Sequence, residues 1–473
     1  MKLQISHLTL SVALVSMAAC STSSKSGDSP RPAYAVSSST SSFRLPSFEE
    51  KTLANGLRVL FISDESLPYV SYSLMVKSGS AQDPDGLPGL ASMVAELLDK
   101  GTSKRTAEKI ANEIGLVGAD FDVSTSYDYT MLSASSISPV SESLLKNVLE
   151  IVQQPAFSDQ EIERVRKQTL AGIDRRIDNP DGYADLAFSE YLYGGEHPYG
   201  RPASGTAKSV AAIKKRNIVQ FYLKAFQPGN AILAVVGKYD SNLKAKIEEG
   251  FGAWEKREVA DFKFPEITAA EGRQFRLVDK TGLVQSQIRI GTFGIKRNDP
   301  DFVALRVANT ILGGAFESRL MNRIRKDLGL TYSINSGFDA RRERGPFSVE
   351  TFTKNETAGQ TVTETLKVLE DFRNSGVTSA ELDRAKGYLT GIFPAAIETP
   401  EKLAFNLLVL RLYGISDSYL TSYLGKIDDL SVGDVNRAIQ RHLDPKNLKV
   451  LVYSNSADVL AQLQAVAQPA SVE

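Results

Sequence analysis

The chain repeats one unusual succession of segments in its two halves. In each half a helical pattern ends at a Pro-x-Asn turn and leads directly into a short apolar run typical of a buried strand: "RNIVQFYLKAFQPGNAILAVVG" and "VNRAIQRHLDPKNLKVLVYS". Pro228 and Asn230 match Pro445 and Asn447, and both pairs are 217 residues apart. This self-similarity predicts two copies of one folding unit.

The segments upstream match in the same order. The strand pattern at 284–295 corresponds to that at 69–80, and the helical pattern at 301–314 corresponds to that at 89–101. We therefore predict an α+β fold of two homologous halves. Each half is expected to be an antiparallel-dominated sheet with helices packed on one side.

Composition divides the chain into five parts. We predict a signal peptide at 1–19, a lipidated flexible tether at 20–45, an N-terminal α+β domain at 46–257, a linker at 258–272 and a C-terminal α+β domain at 273–473. The tether prediction depends on a Ser-rich stretch with Gly and Pro, which has too little apolar surface to fold.

The N-terminus has the pattern of a secretory signal. Lys2 precedes an apolar stretch at 8–17, and small residues follow before Cys20, the single cysteine of the chain. The tetrad that ends at Cys20 resembles a bacterial lipobox, with Met at its first position. The resemblance implies cleavage before Cys20, lipidation of its thiol and, because Ser21 follows, anchoring in the outer membrane. The alternative is an ordinary signal peptide cut near Ala19, which leaves a stray cysteine.

Charge argues against nucleic acid as a partner. The 55 basic and 56 acidic residues give a net charge of -1, and no basic stripe stands out. No internal stretch reaches the roughly 18 apolar residues that a spanning helix needs. We therefore expect contact with a membrane only through the lipid anchor.

Four stretches together resemble the pitrilysin/insulinase family of zinc peptidases, which carry the inverted motif H-x-x-E-H. They are residues 86–102, 196–206, 221–237 and 311–338, and the last is the most specific. The resemblance covers nearly all of the mature chain. It implies paired α+β halves, two pairs of which enclose a chamber that takes in unfolded peptides.

The resemblance also locates a degenerate zinc motif. In the family, two histidines on one helix face bind zinc, and a glutamate before the second histidine activates the zinc-bound water. Aligned on the Lys-Gly-Thr that ends the helix at 89–102, these positions are Ser92, Ala95 and Glu96. Ser92 replaces the first histidine, Ala95 the base and Glu96 the second histidine.

The third family ligand is also missing from its expected place. That ligand is a glutamate roughly 77 residues beyond the second histidine, which falls near Ile173. Ala171 and Gly172 stand where carboxylates are expected, and Asp174 is shifted along the chain. Glu96 with a nearby aspartate remains an alternative, as a weak site for a hard cation.

No other residues supply a hydrolytic site. His7 leaves with the signal peptide, while His197 and His442 belong to different halves and have the ordinary interpretation of structural or surface residues. The chain has no G-x-S-x-G motif, and Cys20 is the proposed lipidation site. We predict no autonomous hydrolysis, and no metal or cofactor bound by this chain.

The second half keeps an arginine and a tyrosine seven residues apart, Arg325 and Tyr332 in "RKDLGLTY". In the family, residues at this spacing reach across the chamber, bind the substrate carbonyl and stabilise the oxyanion. A guanidinium and a phenol are suitable donors for such charge. The alternative is that Arg325 pairs with Glu317 or Asp327 on the helix surface and that Tyr332 packs in a strand.

The stretch "LGGAF" is a further candidate. Gly313 and Gly314 occupy the place of a family loop near the chamber, where glycine lets a peptide approach the backbone. We predict substrate binding there, and a helix C-cap is an equal alternative.

Some bacterial and mitochondrial family members divide the enzyme between two chains, one with the zinc motif and one with the arginine and tyrosine. This chain has the profile of the second. We predict a periplasmic complex, anchored to the outer membrane, with a zinc-bearing homologous subunit that cleaves short or unfolded peptides. The alternative is a scaffold or peptide-binding lipoprotein without a proteolytic role. A third possibility is a peptidase with unorthodox metal ligation through Glu96.

Overall fold

Two six-stranded sheets form the frame of the molecule. The computed structural model describes residues 45, 47–259, 262–267, 271–466 and 471–472, all within one compact unit. The predicted signal peptide and lipidation site lie outside these residues, so both stay predictions.

The first sheet is built from the first half of the chain. Its strands are β1 (Glu49–Thr52), β2 (Arg58–Ser63), β3 (Tyr69–Val76), β4 (Asp120–Thr125), β5 (Thr130–Ile137) and β6 (Ala231–Gly237). Their spatial order is β1-β2-β6-β3-β5-β4, and only β2 and β6 are parallel neighbours.

The second sheet repeats this plan. Its strands are β7 (Gln274–Asp279), β8 (Gln285–Phe293), β9 (Ile334–Phe338), β10 (Pro346–Lys354), β11 (Lys449–Ser454) and β12 (Ser471–Val472). Their order is β12-β7-β11-β8-β10-β9, so five strands match the first sheet in order and direction. The outer strands differ, because β12 runs parallel to β7 whereas β1 runs antiparallel to β2. The predicted pair of similar, antiparallel-dominated halves is confirmed.

Eight helices of the described chain precede β7. They are α1 (Leu90–Leu97), α2 (Ala107–Leu116), α3 (Ser141–Gln153), α4 (Asp159–Asp178), α5 (Pro180–Tyr193), α6 (Ala207–Ala212), α7 (Lys215–Ala225) and α8 (Ser241–Gly252). Side chains cap two of these helices: the Ser158 hydroxyl accepts from the Glu161 N–H at the start of α4, and the Asn179 side chain accepts from the Gly182 N–H at the start of α5.

The second half holds the corresponding helices. They are α9 (Phe302–Asn309), α10 (Ala358–Ser375), α11 (Ser379–Ile397), α12 (Pro400–Leu412), α13 (Ser418–Asp429), α14 (Val432–His442) and α15 (Ser456–Val466). Two wider, π-helical segments follow α9, at Thr310–Gly314 and Met321–Asp327. Among the described residues, no helix combines the length and apolarity needed to cross a membrane.

Each sheet packs its own helices on one face, as predicted, and receives one helix from the other half on its opposite face. On the first sheet, Leu403, Leu407 and Leu408 of α12 pack against a layer that includes Met75 and Ile232. The exchange is reciprocal, because α5 of the first half packs against the second sheet. The sequence analysis did not predict this exchange.

A buried ion pair joins α5 to the second sheet. The side chain of Arg289, in β8, is 2% exposed. Its Nη2 lies 2.6 Å from Asp181 Oδ1, and its Nε lies 2.7 Å from Asp185 Oδ1. Both aspartate side chains reach solvent, so the unfavourable desolvation free energy of this ion pair comes mainly from Arg289.

A second junction between the halves surrounds Asp128, in the β4–β5 turn. Its carboxylate accepts hydrogen bonds from the Tyr199 hydroxyl (2.7 Å), the Tyr413 hydroxyl (3.0 Å) and the Arg342 N–H (2.8 Å). Tyr413 and Arg342 belong to the second half. These contacts and the exchanged helices join the halves into one body.

Candidate functional site

The position of the first zinc-ligating histidine has a structural role in this chain. The Ser92 hydroxyl donates to the Ala203 carbonyl at 2.8 Å, which attaches the loop at 202–206 to α1. Gly89, which precedes α1, has φ +94°, and a Cβ there would lie 2.7 Å from the Ser204 carbonyl oxygen. The loop therefore lies directly against the start of this helix.

The other two motif positions offer one carboxylate. Ala95 is buried and has only a methyl group. Part of Glu96 reaches solvent, but burial of the remainder raises the pKa of its carboxyl. The ammonium of Lys100 opposes this rise, as does a hydrogen bond with Thr169 of α4.

Helix α4 provides no matching ligand. Ile173, at the expected third position, is buried in the core of the first half. Gly172 is half-buried, while Ala171 and Asp174 are exposed. A hydroxyl, a methyl group and one carboxylate do not make the three-ligand set of His and carboxylate that a catalytic zinc requires. The residues at these positions do not fit zinc.

One group of three possible metal ligands occurs among the described residues, and it lies elsewhere. Asp299, Asp301 and His442 bring their ligand atoms within 4.8 Å of one another. His442 Nε2 lies 2.8 Å from Asp301 Oδ2, and Arg441 Nη1 lies 2.5 Å from the same oxygen. Because Arg441 already forms an ion pair with the Asp301 carboxylate, we interpret this group as an ion-pair cluster. Glu96 belongs to no such group in the described chain.

His197 is structural, as its ordinary interpretation predicts. Its Nδ1 accepts from the Tyr199 N–H at 3.1 Å, and its ring stacks on Tyr193 with centroids 5.1 Å apart. Burial lowers the pKa of its imidazole to about 4. The ring is therefore neutral at pH 7 and belongs to an aromatic cluster.

Arg325 and Tyr332 come together on the surface of the second half. Arg325 lies in the π-helical segment Met321–Asp327, and Gly329 follows shortly after its end. Gly329 has φ +63°, a left-handed conformation that reverses the chain, and the Leu330 N–H donates back to the Ile324 carbonyl at 3.0 Å. The reversal places the Tyr332 ring 4.9 Å from the Arg325 guanidinium carbon.

The alternative interpretations of this pair do not match its surroundings. Among the described residues, Arg325 makes no ion pair with Glu317 or Asp327. Tyr332 precedes strand β9 and is 75% exposed, so it is not packed in the sheet. Tyr332 is therefore open to a molecule that approaches this surface, and Arg325 is half-buried beside it.

Two nearby arginines behave differently. Arg319 makes a bidentate pair with Glu381, at 2.6 and 2.7 Å, and Arg323 Nη2 lies 2.7 Å from Glu364 Oε2. Within the part of the chain that the structure describes, Arg325 is the one of the three whose side chain contacts aromatic rings and no carboxylate.

Phe316 completes the cluster and was missed by sequence reasoning. Its ring is 71% exposed and lies 5.0 Å from the Arg325 guanidinium carbon. Arg325 therefore contacts two exposed rings, Phe316 and Tyr332, through cation–π interactions. The available signal was an apolar residue just after Gly313-Gly314, outside any helical pattern.

The backbone beside Tyr332 is fixed by hydroxyl groups. The Ser333 carbonyl accepts from the Thr331 hydroxyl at 2.9 Å and from the Thr351 hydroxyl of β10 at 2.8 Å. These bonds hold the backbone next to Tyr332 to the sheet.

The two glycines have structural explanations. A Cβ on Gly313 would lie 2.5 Å from Ser336 Oγ, and one on Gly314 would lie 2.7 Å from Asn309 Nδ2. Asn309 and Ser336 also exchange hydrogen bonds of 2.9 and 2.8 Å. Gly313 is buried and Gly314 is exposed, so only Gly314 is open to a ligand. Substrate binding by the pair stays a prediction.

These features define a class: a peptidase-like chain of two halves, with an intact Arg–Tyr pair and a zinc-motif helix without its ligands. Family models agree. Residues 58–197 match the insulinase model of peptidase family M16, and residues 212–389 match the model named peptidase M16 inactive domain.

Relatives cover most of the chain. An uncharacterized zinc protease of Mycobacterium tuberculosis is 31% identical over 83% of this chain and 90% of its own length. The non-peptidase homolog YmxG of Helicobacter pylori is 24% identical over 84% of this chain and 91% of its own length. The crystal structure of a peptidase M16 inactive domain from Pseudomonas fluorescens superposes with a TM-score of 0.80 at 29% identity, over 86% of this chain and 98% of that one.

The chain belongs to the insulinase family, peptidase family M16. Its matches support an inactive peptidase homologue within that family. The positions predicted for the zinc ligands and the catalytic base carry Ser92, Ala95 and Glu96.

Proposed function

We propose that this chain is the non-catalytic, substrate-binding subunit of a heteromeric zinc metallopeptidase that cleaves short or unfolded peptides. A homologous partner subunit carries the zinc motif. This chain completes the site by donating Arg325 and Tyr332. The proposal includes location in the periplasm and anchoring to the outer membrane through Cys20.

The observation that carries the proposal is the Arg325–Tyr332 contact on an exposed surface. The Arg325 guanidinium lies beside two exposed rings, Phe316 and Tyr332, and has no carboxylate partner among the described residues. The rings position the guanidinium, and its N–H groups can donate to a bound molecule. Such fixed donors stabilise charge that develops on a substrate oxygen.

The two subunits have different roles in the proposed reaction. The zinc motif of the partner would hold a zinc ion, which would supply an activated water and a Lewis acid for the scissile carbonyl. In this chain, Arg325 and Tyr332 bind the substrate backbone and donate hydrogen bonds to the developing oxyanion. The first half shapes the chamber, with Ser92 attaching the 202–206 loop across the former zinc face.

Reconstitution tests this function. The full-length chain and a zinc-motif homologue from the same organism are purified separately, then mixed and assayed on a mixture of unfolded peptides. We expect hydrolysis only from the mixture. Equal hydrolysis by the homologue alone would contradict the proposal and favour the scaffold alternative.

A further inference from the structure

A groove lies between the first sheet and α12, on the face of the sheet opposite α1. Its volume is about 520 Å³. Its floor consists of four serines from two paired strands, and the pairing places Ser71 opposite Ser135 and Ser73 opposite Ser133. Elsewhere this face carries large apolar residues that pack under α12, so the serines leave open space.

Three carboxylates surround this floor. Asp120 and Asp122 project from β4, opposite Ser135 and Ser133, and Glu401 projects from the first turn of α12. None of the three makes an ion pair with another described residue. The one lysine of the lining, Lys402, donates to the Ala395 carbonyl at 2.9 Å and lies 3.7 Å from Glu398. The groove therefore has an excess of negative charge.

The serine floor supplies an independent indication of a ligand. Ser73 is 8% exposed, and its hydroxyl has no hydrogen-bond partner among the described residues. The hydroxyl opens to the groove, so it is suited to hydrogen-bond a polar group that binds there. Phe405 of α12 adds a 42% exposed aromatic face to the wall.

We propose that this groove binds a guanidinium or alkylammonium group. Carboxylates form charge-assisted hydrogen bonds with such a group, serine hydroxyls accept from its remaining N–H donors, and the face of Phe405 attracts the cation. Strand β4 forms the edge of its sheet, so an extended peptide has access beside the groove. A basic side chain of a peptide is one source of the cation, and a free polyamine is the other.

The inference deepens the proposed function, because it assigns a side-chain class to the substrate, but its test needs no partner. The full-length chain in detergent is titrated into a short fluorescein-labelled Ser/Thr peptide with one central arginine, and anisotropy is recorded at low ionic strength. A matched peptide carries citrulline, which keeps the shape and removes the charge. We expect at least about tenfold tighter binding of the arginine peptide.

The variants assign this binding to the groove. Asp120→Asn with Asp122→Asn is expected to weaken binding of the arginine peptide by about tenfold or more. The control, Asp371→Asn with Asp383→Asn, removes two exposed aspartates that make no ion pair with a described residue, and it should change binding less than about twofold. Glu401→Gln should also weaken binding of the arginine peptide, which gives a second, independent test of the groove.

Spermidine separates the two sources. Tight binding of the arginine peptide with weak binding of spermidine supports a peptide side chain as the ligand, and the reverse order supports a free polyamine. Equal affinity for the arginine and citrulline peptides, or an equal loss in the control variant, would overturn the cation site. A reconstituted complex that does not hydrolyse peptides would contradict the proposed function without changing these binding results. Each of the two proposals therefore has its own contradicting outcome.

Discussion

The guanidinium carbon of Arg325 lies 4.9 Å from the centre of the Tyr332 ring, and the two side chains share an exposed surface of the second half. The contact depends on Gly329, whose left-handed backbone brings the chain back after the helical segment. This surface therefore holds a guanidinium and a phenol side by side, the two groups that the proposed function makes hydrogen-bond donors.

Removal of the arginine donor tests its role in turnover. Arg325→Ala should lower the kcat of the reconstituted complex by about 10²–10³-fold, because a lost oxyanion donor typically has that effect. The amount of complex on size-exclusion chromatography should not change. Arg323→Ala is the matched control, since Arg323 pairs with Glu364. Equal kcat for Arg325→Ala and the wild-type chain would show that Arg325 is not a donor.

Phe316 is expected to act through Arg325. Phe316→Ala removes one of the two rings beside the guanidinium, so we expect a smaller loss of kcat, of about 2–5-fold, from a cation–π contact worth about 0.5–1 kcal/mol. Phe316→Tyr keeps the ring and should restore the rate. A merely structural role would lower the melting temperature of the alanine variant and leave the kcat of the folded complex unchanged.

The chain purified alone should contain no stoichiometric zinc, since only Glu96 of the motif positions offers a strong ligand. Inductively coupled plasma mass spectrometry of the dialysed chain measures this directly. One zinc per chain that disappears in Glu96→Gln would support the unorthodox metal site instead.

Ser92→Ala should reduce the free energy of unfolding by about 1 kcal/mol, because it leaves the Ala203 carbonyl without its donor.

Asp83 should make stability depend on pH. Burial raises the pKa of its carboxyl to about 7, although the N–H groups of Gly89 and Ala91 donate to it at 2.7 and 2.8 Å. The folded state therefore binds a proton that the unfolded state releases near pH 4. The free energy of unfolding should fall from pH 4 to pH 7 by an amount on the order of 4 kcal/mol from this group.

Urea unfolding at several pH values, with Asp83→Asn as the comparison, isolates that contribution. The variant has no proton to lose, so the difference in unfolding free energy between the two chains should change across pH 4 to 7 and stay constant above it. A constant difference across the whole range would contradict the raised pKa.

The ion pair between the halves gives an asymmetric prediction. Asp181→Ala with Asp185→Ala leaves the buried Arg289 unpaired and should reduce the free energy of unfolding by about 3–5 kcal/mol. Arg289→Met removes the buried charge and fills similar volume, so its effect should be much smaller. Urea unfolding of both variants measures the order. A larger loss in Arg289→Met would mean that the ion pair itself stabilises the junction.

Local patterns predicted much of this fold. The apolar residues of α1 recur at helical spacing, and Leu90, Met93 and Leu97 are all buried. The repeated Pro-x-Asn turns lead into β6 and β11, the matching inner strands of the two sheets. These features depend on neighbours in the sequence, which periodicity and turn chemistry report directly.

The exchanged helices could not be predicted in the same way. In α12, the residues Leu403, Leu407, Leu408 and Leu410 spread over more than one face, because the helix is enclosed by sheet and neighbouring helices. Such a pattern indicates burial but does not identify the sheet that covers it. The position of α12 is set by contacts with strands more than 150 residues away.

The candidate site, too, could be predicted only in part from the sequence. The family resemblance led to the prediction that Arg325 and Tyr332 act together, and the structure places them in contact. The contact with Phe316 depends on how the chain turns after Gly313-Gly314. Sequence patterns could not predict the groove between the first sheet and α12 either. Asp120 and Glu401 belong to different halves, and they line one groove only because α12 packs on the first sheet.

The most direct test of the central claim is to purify the tagged, full-length chain from its native membrane in mild detergent and identify stoichiometric partners by mass spectrometry. We predict recovery of one homologue with an intact H-x-x-E-H motif per chain. Recovery of this chain alone, or only with copies of itself, would contradict the account of a subunit that completes a zinc site on its partner.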